Sequence, residues 1–418
     1  MDPCGREARP RRLLVLGASS DQLFLIRTAR AMGFSVLACD QDPASPGFRE
    51  ADEPVLVSTR DVPGLCTFLD GYPQRSEIAG VITMGSDIPG VVRSVARHLG
   101  LPHLARETVL LATDKLAMKE RFREAGIPIP WFGEVRSAAE IERALRDHPR
   151  LVLKPIDRSG SRGVFVIDRG ADLGGLLRRS REFSFAGRTM VEAFLEGPQI
   201  STESILCGAR AATPGFADRN YDGFERFLPQ VLENGGWVPS RLSAAERAAV
   251  TRTAESAARA LWIERGVAKG DLVLTREGPQ VIEIAARLSG GDFCESLVPL
   301  GSGVNYVRAA IRLAVGEEPD FAELEPRFER AVANRYFFPA PGILERVEGL
   351  ERVRAEEWVE KLELCYEPGD EVPPTLSHAH RFGVFVVTAP DRATLEERID
   401  WVYRTVEIVT RPARRAAA

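Results

Sequence analysis

From Arg12 to Leu99 short apolar runs alternate with amphipathic stretches. Arg12 to Leu16 reads as a buried strand, Gly17 to Ser20 as a turn and Gln22 to Met32 as an amphipathic helix. Phe34 to Cys39 is the next strand and stops at Asp40; Val81 to Thr83 is another, followed by a helix from Ile88 to Leu99. Strand and helix alternating at this spacing predict a parallel, doubly wound sheet. Pro102, Pro128 and Pro130 punctuate the exit from this unit. A second unit, from about Asp114 to Glu192, reads helix, strand, helix, strand (Leu151 to Lys154), glycine loop, strand (Val164 to Ile167), helix, strand. A third, from about Leu195 to Glu317, holds an alanine- and arginine-rich helix with an apolar stripe, Ala244 to Ile263. The remainder mixes strands and helices, with strands at Ala331 to Phe338 and Gly383 to Thr388 and a frayed tail, RPARRAAA. The expected units are thus residues 1–112, 113–192, 193–318 and 319–418.

The third unit also carries the pattern richest in chemistry. Asp271 begins the apolar run DLVLT, and Glu283, twelve residues on, lies in VIEIAA. Between them Thr275 to Gly278 is a turn, with Gly278 free to take positive φ. Folding that hairpin brings the two carboxylates to neighbouring strands. Arg287 follows Glu283 by four residues, and Ser289-Gly290-Gly291 closes the segment. Two hard carboxylate ligands, a guanidinium and a glycine-rich turn suit Mg²⁺ and a transferring phosphoryl group.

Composition narrows the field. The chain of 418 residues is 44% apolar and 28% charged, enough for a large core and unlike a disordered segment. A net charge of -5 gives no support to a nucleic-acid or membrane-surface partner. No apolar run reaches the roughly 18 residues a membrane span requires. The first residues, MDPCGREARPRR, lack an apolar signal core, which predicts a cytoplasmic protein. Six cysteines are scattered without a CxxC pair, and Cys39, Cys207 and Cys294 lie in apolar or strand-like surroundings, as reduced buried thiols do.

Several other motifs carry weight only together. Lys154 ends a strand, and the loop Ser159, Gly160, Ser161, Arg162, Gly163 follows; a lysine and backbone N–H groups so placed can close over phosphates, although such a loop is also a common surface turn. Lys115 opens a helix behind Asp114, a plausible N-cap, where a solvated lysine is the ordinary reading. Glu192, Phe194 and Leu195 precede Glu196-Gly197-Pro198; an acid and two peptide groups in a connector suit an adenine edge, and an ordinary strand-to-turn passage is the alternative. In DRNYDGFER, after an expected strand from Arg210 to Phe216, either Arg219 or Arg226 would bind a substrate carboxylate, beside Tyr221. Glu225 would hold an amine's charge or join the metal shell. Ser289, Gly290 and Gly291 allow close backbone approach to an acyl phosphate, and Lys269, two residues before Asp271, is expected in solvent. His378 and His380 would point to one face of a strand, but no cysteines or acids in pattern support a zinc site. Gly17-Ala-Ser-Ser with Asp40 resembles a nucleotide-binding turn but lacks the full GxGxxG of a dehydrogenase.

The order lysine, lysine and loop, hinge acid, then the Asp/Glu/Arg hairpin resembles the ATP-grasp superfamily over residues 12 to about 317, and VIEIAARLSGG with the extra C-terminal lobe resembles its L-amino acid ligase branch; carbamoyl-phosphate synthase large-chain-like proteins are more distant. The resemblance implies an α/β fold: a doubly wound N-terminal domain (1–112), a two-lobed ATP-grasp domain (small lobe 113–192, large lobe 193–318) and a small α+β C-terminal lobe (319–418). It implies that Lys115 and Lys154 contact nucleotide phosphates under the Ser159 to Gly163 loop. Glu192 would accept from the adenine amino group, with Phe194 and Leu195 flanking the ring. Asp271 and Glu283 would hold Mg²⁺, or Mn²⁺ in its place, and Arg287 would stabilise an acyl phosphate. Two positions depart from the common pattern: Ala285 stands where many relatives have a metal-binding asparagine, and Gln199 where many have a ribose-binding glutamate.

These parts predict ATP-dependent ligation of a small carboxylate, such as an amino acid, to an amine, giving ADP and phosphate. The expected partners are ATP and those two substrates, with a homodimer as the superfamily-level expectation. A carboxylase of purine or biotin type is the alternative enzyme, although residues 218 to 262 lack the histidines of a biotin carboxylase. A non-catalytic nucleotide-binding module is a third reading, opposed by the joint presence of Lys154, Asp271, Glu283 and Arg287.

Overall fold

The computed structural model describes residues 11–412; the cysteine at position 4, most of the N-terminal segment and most of the tail lie outside that range. Strands β1 (Arg12–Leu16), β2 (Ser35–Asp40), β3 (Glu53–Leu56) and β4 (Ile78–Ile82) form a parallel sheet in the order β3-β2-β1-β4. Helices cover both faces, so β1 and β2 are buried nearly throughout, as parallel strands must be. The doubly wound expectation is met, and β3, too polar to stand out in sequence, is the added edge strand.

A second sheet is antiparallel, in the order β5 (Phe132–Val135), β8 (Thr189–Ala193), β6 (Leu151–Pro155) and β7 (Phe165–Ile167). Helices Ala138–Asp147 and Leu173–Phe183 back one face through Ile141, Leu145, Leu173 and Leu177. The helix Lys115–Glu124 starts at Asp114, whose side chain accepts from the N–H groups of Leu116 and Ala117, as the sequence suggests.

The largest sheet holds β9 (Gln199–Cys207), β10 (Arg210–Arg219), β11 (Gly236–Val238), β12 (Arg265–Thr275), β13 (Gly278–Ala285), β14 (Ala331–Tyr336), β16 (Val359–Leu364) and β18 (Gly383–Ala389). The remaining strands are β15 (Gly342–Glu348), β17 (Glu371–Val372) and β19 (Glu407–Arg411). The sheet order is β13-β12-β9-β10-β11-β14-β18-β16, antiparallel throughout; β17, β15 and β19 make a separate small sheet. The chain therefore passes residue 318 without any break in the sheet: β11 pairs directly with β14. The helix Ala244–Ala260 packs its alanine stripe on β12 and β13 through Ala254, Ala257 and Ala258.

Two local corrections follow from tertiary contacts. β10 continues three residues beyond the expected end, because Asp218 and Arg219 pair with β11. His378–His380 is a short 3-10 turn, not a strand, so the two rings do not share a strand face.

The join between β11 and β14 is tight at Gly235. Its φ is +74°, and a Cβ there would stand 2.1 Å from the Asn334 carbonyl oxygen. Gly235→Ala is expected to lower stability by about 2 kcal/mol or more, from a left-handed backbone and a backbone clash together. Denaturant unfolding of both chains measures it; a loss below about 0.5 kcal/mol would contradict the packing described.

Candidate active site

One sheet face sets the geometry. Residues i and i+2 of a strand share a face, so Lys269, Asp271 and Val273 of β12 point the same way. Their cross-strand partners on β9 are Glu203, Ser201 and Gln199. From Thr275↔Gly278 to Leu272↔Val281 the β12–β13 register is regular; a bulge between Asp271 and Leu272 then shifts it, so that Asp271 faces Glu283. Without that shift Asp271 would face Ile282 and Glu283 would turn to the opposite face. Gly278 has φ +114°, as the turn required.

Above this face lies a cavity of about 1070 Å³. It is lined by Lys115, Lys154, Ser159, Gly160, Ser161, Arg162, Glu192, Phe194, Leu195, Gln199, Arg219, Glu225, Asp271, Glu283, Arg287, Ser289, Gly290 and Gly291, drawn from separate sequence motifs. Gly163, expected over the phosphates, does not line it: with φ +72° it packs beneath the loop, where a Cβ would lie 2.9 Å from the Phe183 ring. Arg226 also lies elsewhere, over the rings of Phe227 and Phe338.

The charges inside are paired. Lys154 Nζ donates to Glu192 Oε1 at 2.5 Å, and Lys119 Nζ stands 3.2 Å from Glu192 Oε2. Burial alone would push the Glu192 carboxyl up, but Lys119 and Lys154 outweigh it and hold the pKa below the usual glutamate value. Burial pushes Lys119 down, to about 8. The Glu192 carboxylate is thus committed to two ammonium groups, which corrects the expectation that it faces an adenine amino group. Lys119 was not foreseen, yet it sits one helical turn after Lys115, on the same face.

Lys115 is buried, not solvated. Its Nζ donates to the Arg158 carbonyl at 2.8 Å and lies 3.3 Å from Glu283 Oε2. Lys269 is likewise only 9% exposed and bonds the Asp271 carboxylate, which also accepts from Ser201 Oγ at 2.8 Å. Its cross-strand neighbour Ala285 is small, leaving room for the lysine side chain. Burial would raise the Glu283 carboxyl; Lys115, Lys269, Lys154 and Arg287 overcome it and keep the group ionised. Arg287 donates to the Leu288 carbonyl at 3.2 Å and stands 3.8 Å from Asp87 of the N-terminal domain.

These two carboxylates fit a hard divalent cation. Among the described residues no group of three or more His, Cys, Asp or Glu side chains could hold a metal. Mg²⁺ at Asp271 and Glu283 would therefore complete its shell with phosphate oxygens and water, its usual habit.

The flanking loops are held from outside the hairpin. Glu203, fully buried, accepts from Ser289 N–H at 2.9 Å and from the hydroxyls of Ser289 and Tyr306 at 2.5 and 2.8 Å. Met84 bridges to Leu288, tying the N-terminal domain to the same turn. In the glycine loop Gly160 and Ser161 take φ +68° and +56°, and Gly160 O accepts from His378 N–H at 3.3 Å. His378 Nε2 lies 3.3 Å from Ser161 Oγ. Burial, ahead of the charges of Arg381 and Arg219, drives the imidazole pKa well below its ordinary value, so the ring is neutral. His378 is thus a contact to the loop, while His380 Nδ1 accepts from the Leu376 N–H of its own segment at 3.3 Å.

Comparisons with known proteins agree with this geometry. Residues 112–291 match an ATP-grasp domain, and residues 335–411 match L-amino acid ligase C-terminal domain 2. An uncharacterized protein of Sinorhizobium fredii, y4rH, is 25% identical over 390 residues, covering 90% of this chain and 79% of that one. A D-alanine–D-alanine ligase of Desulforudis audaxviator is 28% identical over 211 residues, covering 48% and 67%. The crystal structure of an L-amino acid ligase from Bacillus licheniformis superposes with a TM-score of 0.81 at 19% identity, covering 97% of this chain and all, 100%, of that one. Among the described residues no helix is long and apolar enough to cross a membrane.

Glu203→Ala would leave three buried donors without their acceptor. The expected loss is about 2–4 kcal/mol in denaturant unfolding, and a loss below about 0.5 kcal/mol would show that Glu203 does not hold the turn.

Proposed function

We propose that the chain, whose residues 112–291 match an ATP-grasp domain and 335–411 an L-amino acid ligase C-terminal domain, joins a carboxylate to an amine at the expense of ATP, releasing ADP and phosphate. The observation that carries this reading is the Asp271–Glu283 pair, facing one another across β12 and β13 and ringed by Lys115, Lys154, Lys269 and Arg287.

The cavity lining supports the following roles. Phe194 and Leu195 would flank adenine, in the part of the cavity also lined by Val152, Val273 and Ile282. Gln199 reaches the ribose hydroxyls, with no charge of its own. Lys115 and Lys154 would turn from Glu283 and Glu192 to the phosphates, Lys119 remaining on Glu192, and the Ser159 to Arg162 loop would cover the phosphates with backbone N–H groups. Asp271 and Glu283 would hold Mg²⁺, which would supply neutralisation of phosphate charge.

A carboxylate is a poor electrophile, since oxide would have to leave. Its oxygen attacks the γ-phosphorus and ADP departs, which leaves an acyl phosphate. The unprotonated amine nitrogen then attacks the carbonyl carbon; the carbon–oxygen bond to phosphate breaks, the phosphate leaves with the electron pair, and the proton lost by nitrogen passes to the departing phosphate. Arg287 is positioned to stabilise the oxyanion that forms between these events. The Ser289, Gly290 and Gly291 backbone lets the acyl phosphate approach closely, and the loop latched by His378 keeps water out. Lys269 takes an additional place at the metal carboxylates, where Ala285 supplies no ligand.

The test is product analysis across a matrix of amino acids and small carboxylates. ADP and phosphate released only with both substrates is the expected outcome. AMP and pyrophosphate would contradict the reading, and ATP hydrolysis dependent on bicarbonate would point to a carboxylase. Arg287→Met is expected to lower kcat about 100-fold or more, as loss of an oxyanion donor does, with nucleotide Kd changed less than about threefold. Unchanged turnover would remove Arg287 from the chemistry.

A further inference from the structure

Two lysines share the Glu192 carboxylate, and they differ in where they can go. Val152 of β6 is the cross-strand partner of Glu192, and Lys154 lies on the same face as Val152. Lys154 is therefore the diagonal neighbour of the acid, with Nζ 2.5 Å from Oε1, and both residues line the cavity. Lys119 comes from the other side, out of the helix Lys115–Glu124. Its Nζ stands 3.2 Å from Glu192 Oε2, it is 0% exposed, and it does not line the cavity.

Lys119 is also fixed. Its Nζ donates to the Val281 carbonyl of β13 at 2.9 Å. Its helix neighbours Met118 and Phe122 are buried in one apolar cluster with Leu272, Val281 and Ile284. Among the described residues Glu192 is the only acid paired with it. Burial pushes the Lys119 ammonium down, to about 8, with Glu192 the foremost charge that opposes this, so the group is still largely charged at neutral pH.

A charge count gives that fixed ammonium a purpose. Glu192 is 4% exposed. If Lys154 were its sole partner, drawing Lys154 away would strand an ionised carboxylate in the interior, which is strongly unfavourable. With two ammonium groups on one acid, either can leave while the other keeps the carboxylate balanced. Lys154 alone of the two faces the cavity, so Lys154 is the one free to leave. The neighbouring pair is built differently: among the described residues Lys115 is the only cation paired with Glu283.

We propose that Lys119 is a positioning residue for nucleotide: a counter-charge held outside the cavity that balances Glu192 when Lys154 turns to the phosphates. A side chain that touches no ligand thereby sets nucleotide affinity, and Glu192 acts on nucleotide only through its hold on Lys154. The inference rests on the nucleotide-binding half of the reading above and is independent of the ligation step.

The sign of each change follows. Without Lys119, Lys154 is tied to Glu192; without the Glu192 charge, Lys154 is free whether Lys119 is present or not. Calorimetric titration of the full chain with MgADP reads this out. Lys119→Met is expected to weaken MgADP about tenfold or more. Glu192→Gln is expected to leave affinity within about threefold of the unsubstituted chain, or to tighten it. The double variant, Lys119→Met with Glu192→Gln, is expected to return to within about threefold, a repair that a merely structural lysine would not show. Lys119→Gln keeps a donor for the Val281 carbonyl and serves if Lys119→Met fails to fold, with the same loss and the same repair. Unchanged MgADP binding in the Lys119 variants, or a loss that Glu192→Gln does not repair, would overturn the proposal. So would a tenfold weakening by Glu192→Gln alone, because the carboxylate would then contact the nucleotide itself. Failure of the unsubstituted chain to bind MgADP would sink the nucleotide reading, and this inference with it.

Discussion

Buried charge neutrality is the constraint on which the site depends. Glu192 sits between Lys119 and Lys154, Glu283 faces Lys115, and Asp271 is bonded by Lys269. An isolated ion at such depth costs several kcal/mol, so each carboxylate is kept ionised only by the ammonium beside it. Lys115 comes from the small lobe and Glu283 from the hairpin, so their attraction holds the helix Lys115–Glu124 against β13, where Lys119 Nζ also donates to the Val281 carbonyl at 2.9 Å. In the proposed reading the Lys115–Glu283 pair would exchange partners: a triphosphate would take Lys115 as a divalent ion takes Glu283 and Asp271, so that binding of nucleotide and of metal would be two halves of one event.

The long antiparallel sheet gives that arrangement its reach. A single surface runs from β13, which carries Glu283, to β14, which carries Tyr336, and on to β18 and β16. The core beneath it is shared: Ile205 of the large lobe, Leu13 and Val15 of the N-terminal sheet, and Val332 and Val386 of the C-terminal lobe belong to one cluster. Three regions of the chain therefore meet at the Ser289 to Gly291 turn. Met84 and Asp87 come from the N-terminal domain, Glu203 from β9, and Tyr336 with Arg381 from the C-terminal lobe.

Legibility in the sequence followed the range of the interaction. The hairpin could be read because its turn, its strands and its two acids lie within a few residues of one another; only the bulge that brings Asp271 opposite Glu283 left no signal. The alternation of β1, β2 and β4 with helices was equally local. Lys119 and Lys269 were read as ordinary surface lysines, or passed over, because a lysine on a helix or strand shows no mark of burial until its acid partner arrives from elsewhere. Lys119 meets Glu192 across 73 positions and Arg381 meets Glu233 across 148. The turn at His378 looked like a strand because two alternating polar residues carry a period of two; its contact with Gly160 overrides that pattern. The sharing of one sheet across residue 318 had no sequence counterpart, since strand pairing between distant segments is specified by both partners at once.

The claim of partner exchange is tested most directly by measuring ATP affinity at equilibrium with Mg²⁺ and with the metal chelated. If the triphosphate draws Lys115 away from Glu283, that acid is left buried and without its ammonium partner unless metal is present. MgATP should then bind at least about tenfold more tightly than metal-free ATP, and replacing Glu283 by Gln should shrink that ratio. Equal affinity with and without Mg²⁺ would contradict the account.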